Sequence, residues 1–175
     1  LQDLRVRIDA IDRQIVQLLN DRYEVVKKVG EWKRERGQPL YVPEREKALL
    51  EKLESINAGP MPDSTLRAVY REIMSGALRL ESPLKVAFFG PEATFTHLAA
   101  KMKFGHAIDY IPKASISDVF HEVEAGRSNY GCVPVENSTE GVVNHTLDML
   151  VDSPLKICAE INMRVQQCLL ARRDK

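Results

Sequence analysis

The chain has 175 residues, of which 44% are hydrophobic and 29% charged, a composition typical of a globular protein with one large or two small domains. Its 25 basic and 25 acidic residues leave no net charge that would attract nucleic acid or an anionic membrane, and no run approaches the ~20 apolar residues of a membrane span. The N-terminus lacks the apolar core of a signal peptide and the three cysteines, Cys132, Cys158 and Cys168, lack metal-ligand spacing, so we expect a cytoplasmic protein with reduced thiols.

The first 82 residues are predicted to be all helical. Residues 1–36 contain no proline and a single glycine, and their apolar residues recur with a 4-3-4-3 spacing. This pattern predicts one long amphipathic helix that ends near Gly37. Pro43 opens a second predicted helix, EREKALLEKLESI, and a third begins after the cap Asp63-Ser64.

The periodicity changes after a predicted domain boundary at Ser82-Pro83-Leu84. The runs KVAFF, AIDYI, YGCVPV and LKICAEI alternate with helical stretches around TFTHLAAKM, SDVFHEVEAG and VNHTLDML, and Ser115 and Asp118 fit a capping box. This β-α-β-α-β-α-β order predicts a mostly parallel sheet covered by helices. The predicted fold class is therefore multidomain, all-α over residues 1–82 and α/β over residues 84–175.

The long first helix is predicted to need a second copy of the chain. At ~1.5 Å per residue, a helix of about 35 residues extends roughly 50 Å, whereas a compact domain of this size is about 30 Å across. One chain cannot cover an apolar stripe that continues along nearly the whole helix. A second copy is the simplest cover, and a long coiled-coil arm is the alternative.

Two cations lie on the stripe that should face the core. The spacing that places Leu18, Val25 and Val29 on the stripe also places Arg22 and Lys33 there. An unpaired buried cation is unfavourable, so either these side chains extend outward to water or they line a cavity that holds an anion. The cavity remains a serious alternative to side chains that extend to water, because further charged residues lie at the helix ends. They are Arg5, Arg45, Glu46 and Glu81.

Four segments of the helical part, LRVRIDAIDRQIVQLLNDR, VGEWK, PERE and REIMS, are specific in combination. Over residues 1–82 they resemble the all-helical chorismate mutases of the type fused to prephenate dehydratase. The resemblance implies three helices in an intertwined dimer and a role for each matching residue. Arg5 from the other chain, Arg22 and Arg45 would hold the two substrate carboxylates, Lys33 and Glu81 the ether oxygen, and Glu46 the ring hydroxyl.

Three positions depart from the pattern of that family. Val42 stands where many members have an aspartate and Ala77 where they have a serine, so any substrate contact there would be through backbone or packing. Glu81 replaces a glutamine found in some members, and it must be protonated to donate a hydrogen bond to an ether oxygen. Its pKa would need to be raised by burial, or activity should fall as pH rises.

The α/β part contains two polar segments that follow predicted strands. GPEATFTH follows the first strand and ENSTEG the third, so both would lie at the edge of a parallel sheet where ligands bind. Each alone fits a loop plus a helix cap, and together they suggest one binding edge. GPEATFTH and VPVENSTEGVVNHTLDML resemble the first lobe of prephenate dehydratases, a fold similar to periplasmic binding proteins. The resemblance implies substrate-binding roles for Thr94, Thr96, Asn137 and Ser138, with Ala93 where a glycine is usual.

The same resemblance implies a second lobe with a catalytic threonine and a regulatory domain that senses phenylalanine, neither of which lies within these residues. One lobe supplies one wall of a cleft, so we expect negligible dehydratase activity from these residues alone. The leading hypothesis is a chorismate mutase that converts chorismate to prephenate in the pathway to phenylalanine, as a homodimer.

The implied reaction requires no nucleophile, metal or cofactor, and no nucleic-acid or membrane partner is expected. The histidines, His97, His106, His121 and His145, are expected to be surface or packing residues. An alternative hypothesis is a non-catalytic helical dimerisation module that carries a solute-binding α/β lobe. A DNA-binding helical regulator is disfavoured by the neutral charge and the lack of a basic recognition helix.

Overall fold

A computed structural model describes residues 1–39, 41–81, 83–166 and 168. The elements in chain order are α1 (Gln2–Glu35), α2 (Pro43–Ser55), α3 (Asp63–Glu81), β1 (Lys85–Phe89), α4 (Phe95–Phe104), β2 (Asp109–Lys113), α5 (Ile116–Glu124), β3 (Tyr130–Cys132), β4 (Glu136–Asn137), β5 (Gly141–Val142) and α6 (Asn144–Asp152). Contacts divide the chain into two units, residues 1–86 with 104–111, and residues 87–103 with 112–175. No described helix is long and apolar enough to cross a membrane.

The predicted end of the first helix is confirmed. Gly37 has φ +61°, the left-handed conformation that favours glycine. The amide of Gly37 donates to the carbonyl of Arg34 at 3.2 Å, and that of Gln38 donates to the carbonyl of Lys33 at 2.9 Å. This pair of bonds is the Schellman pattern, which satisfies carbonyls that the end of a helix would otherwise leave unpaired.

The C-terminal half of α1 packs against α3. The hydroxyl of Tyr23 donates to the backbone carbonyl of Ile73 at 2.9 Å and occupies the space that a side chain at Gly76 would fill. By contrast, every side chain of residues 1–18 is exposed in the single chain, including the apolar stripe. The N-terminal half of α1 therefore presents an uncovered apolar face.

Residues 104–111 group with the helical unit, although the sequence places them in the α/β part. The backbone amide of Ala107 donates to the hydroxyl of Ser75 at 3.1 Å, and His106 Nδ1 lies 2.8 Å from Glu72 Oε1. Gly105 has φ +79°, and a side chain at this position would collide with Ser75. The domain limits 1–82 and 84–175 remain a prediction, and Ser82 itself lies outside the described residues.

The α/β part contains a parallel three-stranded sheet with strand order β2-β1-β3. The central strand β1 is the most apolar, with Val86, Ala87 and Phe88 fully buried. The predicted cap of α5 is confirmed, since the hydroxyl of Ser115 accepts the amide of Asp118 at 3.0 Å. A short antiparallel hairpin, β4 with β5, follows the sheet.

Three strand predictions differ from the structure. The second strand begins two residues late, at Asp109, because the backbone of Ala107 is bonded to Ser75 instead. The third ends at Cys132, before Pro134, a residue that cannot donate to a strand ladder. The fourth predicted strand was wrong, since residues 155–161 form no strand. Their alternating pattern needs a paired neighbour and an apolar surface, whereas Ile157 is 75% exposed.

Candidate active site

The end of α3 and the C-terminal half of α1 bring Arg22, Lys33 and Glu81 together. Burial raises the pKa of the half-buried Glu81 above its ordinary value, while the positive charges of Lys33, Arg34 and Arg22 act in the opposite direction. The Oε2 atom of Glu81 and the Nη1 atom of Arg22 are both buried and have no hydrogen-bond partner among the described residues. Leaving a buried polar atom unpaired costs about 1–3 kcal/mol, which makes this cluster a candidate for binding a polar ligand.

Gly30 makes room for the Glu81 side chain. It is the buried residue of α1, and a Cβ atom built on it would lie 2.8 Å from Glu81 Cγ and 3.3 Å from Glu81 Cβ. A glycine inside an exposed helix is unfavourable by about 1 kcal/mol relative to alanine. Here it allows the last turn of α3 to approach α1 closely enough to place a carboxyl among the three cations.

The other predicted pocket residues lie on all three helices. Ala77 is buried one turn before Glu81 on the same face of α3. In the first turn of α2, Arg45 is exposed and Glu46 half-buried. Val42 precedes that turn, and its carbonyl accepts the amides of Arg45 and Glu46 at 3.1 and 3.2 Å.

Arg5 does not belong to this cluster in the single chain. It lies 17 residues before Arg22 on the same helix, which corresponds to about 25 Å along the axis. Its side chain is exposed. Any contribution of Arg5 to a pocket around Arg22 must therefore come from a second chain.

In the α/β unit, the GPEATFTH segment forms a tight turn between β1 and α4. Gly90 has φ +95° and Ala93 φ +66°, so both adopt left-handed conformations. The amide of Ala93 donates to Nδ1 of His97 at 3.0 Å, and the His97 ring stacks on Phe88 with centroids 4.5 Å apart. Burial, assisted by the charge of Lys101, lowers the pKa of His97, which keeps Nδ1 available as an acceptor.

The residues predicted to bind on this side lie in two adjoining segments. Thr94 Oγ1 donates to the carbonyl of Pro91 at 2.9 Å, and the carbonyl of Thr96 accepts the thiol of Cys132, at the end of β3, at 3.6 Å. Asn137 and Ser138 are exposed in the β4–β5 hairpin, where Asn137 Oδ1 accepts the amide of Thr139 at 2.9 Å. The structure thus places both segments after neighbouring parallel strands, and their binding role remains a prediction.

Comparison with known proteins gives matches across nearly the whole chain. The sequence model of type II chorismate mutases matches residues 4–82, and that of prephenate dehydratases matches residues 86–175. A bifunctional chorismate mutase/prephenate dehydratase from Aquifex aeolicus is 47% identical over 99% of this chain and 49% of its own length. The chain belongs to the family of bifunctional chorismate mutase/prephenate dehydratases.

Other relatives show the same coverage. The bifunctional enzyme of Stutzerimonas stutzeri is 45% identical over 97% of this chain and 48% of its own length. The chain therefore spans about half the length of the curated relatives it matches. A solved chorismate mutase from Thermus thermophilus is 40% identical, with a TM-score of 0.45. The matched region covers 46% of this chain and 91% of the Thermus chain.

The other three histidines lie at the surface. His106 pairs with Glu72, Nε2 of His145 lies 2.9 Å from the hydroxyl of Ser117, and His121 is exposed. Among the described residues, no group of three His, Cys, Asp or Glu side chains could hold a metal ion.

Three residues with a role in these sites were missed by sequence reasoning. They are Gly30, Arg34 and His97. The signal for Gly30 was present, because a lone glycine inside a long helical pattern usually has a packing reason. Arg34 lies beside the predicted stripe, and the bond of His97 depends on a turn conformation that no local pattern specifies.

The left-handed conformation of Ala93 leads to a stability prediction. Alanine is disfavoured there by about 1–2 kcal/mol relative to glycine. After allowing for the larger unfolded-state entropy of glycine, Ala93→Gly should stabilise the α/β unit by about 1 kcal/mol. The measurement is the urea midpoint of the transition that exposes this unit.

The control for this prediction is Ala125→Gly. Like Ala93, Ala125 is exposed. It lies at the end of α5 with φ −77°, so glycine relieves no strain there. Ala125→Gly should leave the midpoint unchanged or lower it. Equal midpoints for the two variants would show that Ala93 is not strained.

Proposed function

We propose that the chain catalyses the rearrangement of chorismate to prephenate. The observation that carries this proposal is the buried Glu81 carboxyl among Lys33, Arg34 and Arg22, with Glu81 Oε2 and Arg22 Nη1 unpaired among the described residues. The rearrangement has one substrate and forms no covalent intermediate with the enzyme. A site for it must hold the reactive conformer and stabilise negative charge that develops on the ether oxygen, and it requires no metal or cofactor.

The proposed roles follow from the chemistry of each side chain. Arginine forks suit the two carboxylates of the substrate, which assigns Arg22 and Arg45 together with Arg5 of a second chain. Lys33 and a protonated Glu81 would donate to the ether oxygen, and Glu46 would bind the ring hydroxyl. The raised pKa of Glu81 supports the protonated form, although three cations oppose it. Ala77 and the backbone at Val42 would line the same pocket.

We propose that the active form is a homodimer. Leu4, Ile8 and Ile11 of the stripe on α1 are more than half exposed in the single chain. Arg5 is about 25 Å along α1 from Arg22, so it can complete the pocket only from another copy. A second chain packed along α1 would cover the stripe and supply this arginine.

For the α/β part, we propose prephenate binding by the segments that contain Thr94, Thr96, Asn137 and Ser138, in the context of the longer bifunctional enzymes. Support comes from the match of residues 86–175 to prephenate dehydratases and from the placement of both segments after neighbouring parallel strands. A cytoplasmic location remains a prediction from the sequence.

The test of the proposed function is the loss of chorismate absorbance in dilute protein. We expect turnover above the spontaneous rate, inhibited by a rigid dicarboxylate analogue of the bridged transition state. The matched control is the monomethyl ester of the same analogue, which should inhibit at least ~10-fold less because one arginine fork loses its partner. A folded dimer without turnover would favour the alternative, a helical dimerisation module that carries a binding lobe.

A further inference from the structure

Arg34 connects α1 to the last residue of α3. Its Nη1 atom donates to the backbone carbonyl of Glu81. The last carbonyls of a helix have no partner within the helix, and a cation at this end also interacts favourably with the helix dipole. The bond therefore holds the backbone of the same residue whose carboxyl lies in the charged cluster.

The side chain of Glu81 lies close against α1. A Cβ atom on Gly30 would already lie 2.8 Å from Glu81 Cγ, so the side chain of Glu81 rests directly on the backbone of α1. Arg34 follows Gly30 by one turn, on the same face of α1. The two residues thus contact Glu81 from one face of α1, Gly30 at the side chain and Arg34 at the backbone carbonyl.

Arg34 also contributes charge. The charged groups that act on the Glu81 carboxyl are Lys33, Arg34 and Arg22, all on α1, and each favours the ionised form. Arg34 is the exposed member of the three, so its effect should depend on salt concentration.

We propose that Arg34 is a positioning residue for Glu81, which holds the last turn of α3 against α1 and lowers the pH above which Glu81 stops donating a hydrogen bond. The inference rests on the proposed mutase function. It does not place Arg34 in contact with the substrate. Its two effects, the hydrogen bond and the charge, can be separated because glutamine retains a donor without the charge and methionine retains neither.

The expected signs follow from the charge on each state. Removal of the Arg34 charge favours the protonated Glu81, so the alkaline decline of kcat should move to higher pH in Arg34→Gln, by roughly 0.5 unit for an exposed cation. Arg34→Met should show the same movement and, in addition, a plateau kcat about 5- to 10-fold lower, because the end of α3 is no longer held. Arg34→Lys should keep the midpoint of the parent.

The experiment is a set of pH profiles of kcat for the parent and these three variants, at low and high salt. Lys28→Gln is the matched control, since Lys28 is an exposed cation of the same helix that is not among the charges acting on Glu81, and its removal should leave the midpoint in place. Glu81→Gln should abolish the alkaline decline, which assigns that decline to Glu81.

The outcomes separate this inference from the mutase proposal. If the parent turns over chorismate but Arg34→Gln and Arg34→Met both keep its midpoint and plateau, the positioning role is wrong while the mutase function stands. If Arg34→Gln and Lys28→Gln move the midpoint equally, the effect is a general change of helix charge, and the proposal is again overturned. Absence of turnover in the parent would reject the function itself.

Discussion

Replacement of Arg22 or Lys33 by alanine is expected to lower kcat/KM for chorismate by ~100-fold or more, which is about 3 kcal/mol of transition-state stabilisation. Both cations act on the buried Glu81 carboxyl, and Arg22 has a buried nitrogen without a partner among the described residues. A bound carboxylate would pair with that nitrogen. Arg22→Lys should recover only part of the loss, because lysine keeps the charge but not the planar fork.

The stability of these variants distinguishes a binding site from a structural one. If Arg22 were a structural cation, its removal would lower the unfolding midpoint. Since its buried Nη1 atom is unpaired in the part of the chain that the structure describes, Arg22→Ala should instead leave the midpoint unchanged or raise it, as is common when a functional polar group is removed. The measurements are initial rates of chorismate loss and thermal unfolding of the same samples.

The control for the cation variants is Lys27→Ala. Lys27 is an exposed cation of the same helix whose ion pair is with Glu24, at 3.4 Å. Its removal should change kcat/KM by less than about twofold, as expected for an exposed pair that contributes little. Equal losses in Lys27→Ala and Arg22→Ala would mean that the net charge of α1, and not a specific pocket, controls the rate.

The sequence predicted best those features that depend on neighbouring residues. The end of α1 at Gly37 and the cap of α5 at Ser115 are local signals, and the structure confirms both. The fourth strand failed because a strand depends on a distant partner, and nothing within residues 155–161 specifies whether one is present. Likewise, the docking of Ala107 on Ser75 joins residues 32 apart, beyond the reach of any local pattern.

The residues of the candidate site likewise divide into those that a local pattern predicted and those that depend on tertiary contacts. Helical periodicity alone placed Arg22 and Lys33 on one stripe, because the period of a helix is fixed. That Glu81 meets them depends on the close approach of α3 to Gly30, a tertiary contact that only the family resemblance implied. Arg34 was missed because it lies one residue beyond the stripe. It also donates to a backbone carbonyl, a group that every residue type has, so the sequence does not reveal the pairing.

The uncovered apolar stripe of α1 leads to a second prediction with a large expected effect, the loss of dimerisation when the stripe is altered. Ile11 is 53% exposed in the single chain, although it lies at the centre of an apolar face. Val6 is similarly exposed but lies on the opposite face of the same helix. Ile11→Glu would place a charge in the proposed interface, with loss of apolar burial and a desolvation penalty on both chains of a symmetric pair. We expect the dimer dissociation constant to rise by ~1000-fold or more, about 4 kcal/mol.

Sedimentation over a range of protein concentrations, with circular dichroism to confirm helicity, measures this effect. Val6→Glu is the matched control, because it makes the same kind of change on the same helix and should remain dimeric. Turnover of chorismate by Ile11→Glu should fall in parallel with the dimer population, since the exposed Arg5 lies too far along α1 to reach the pocket of its own chain. A monomeric Ile11→Glu that retained full turnover would show that one chain holds a complete site, and Arg5 would then have no catalytic role.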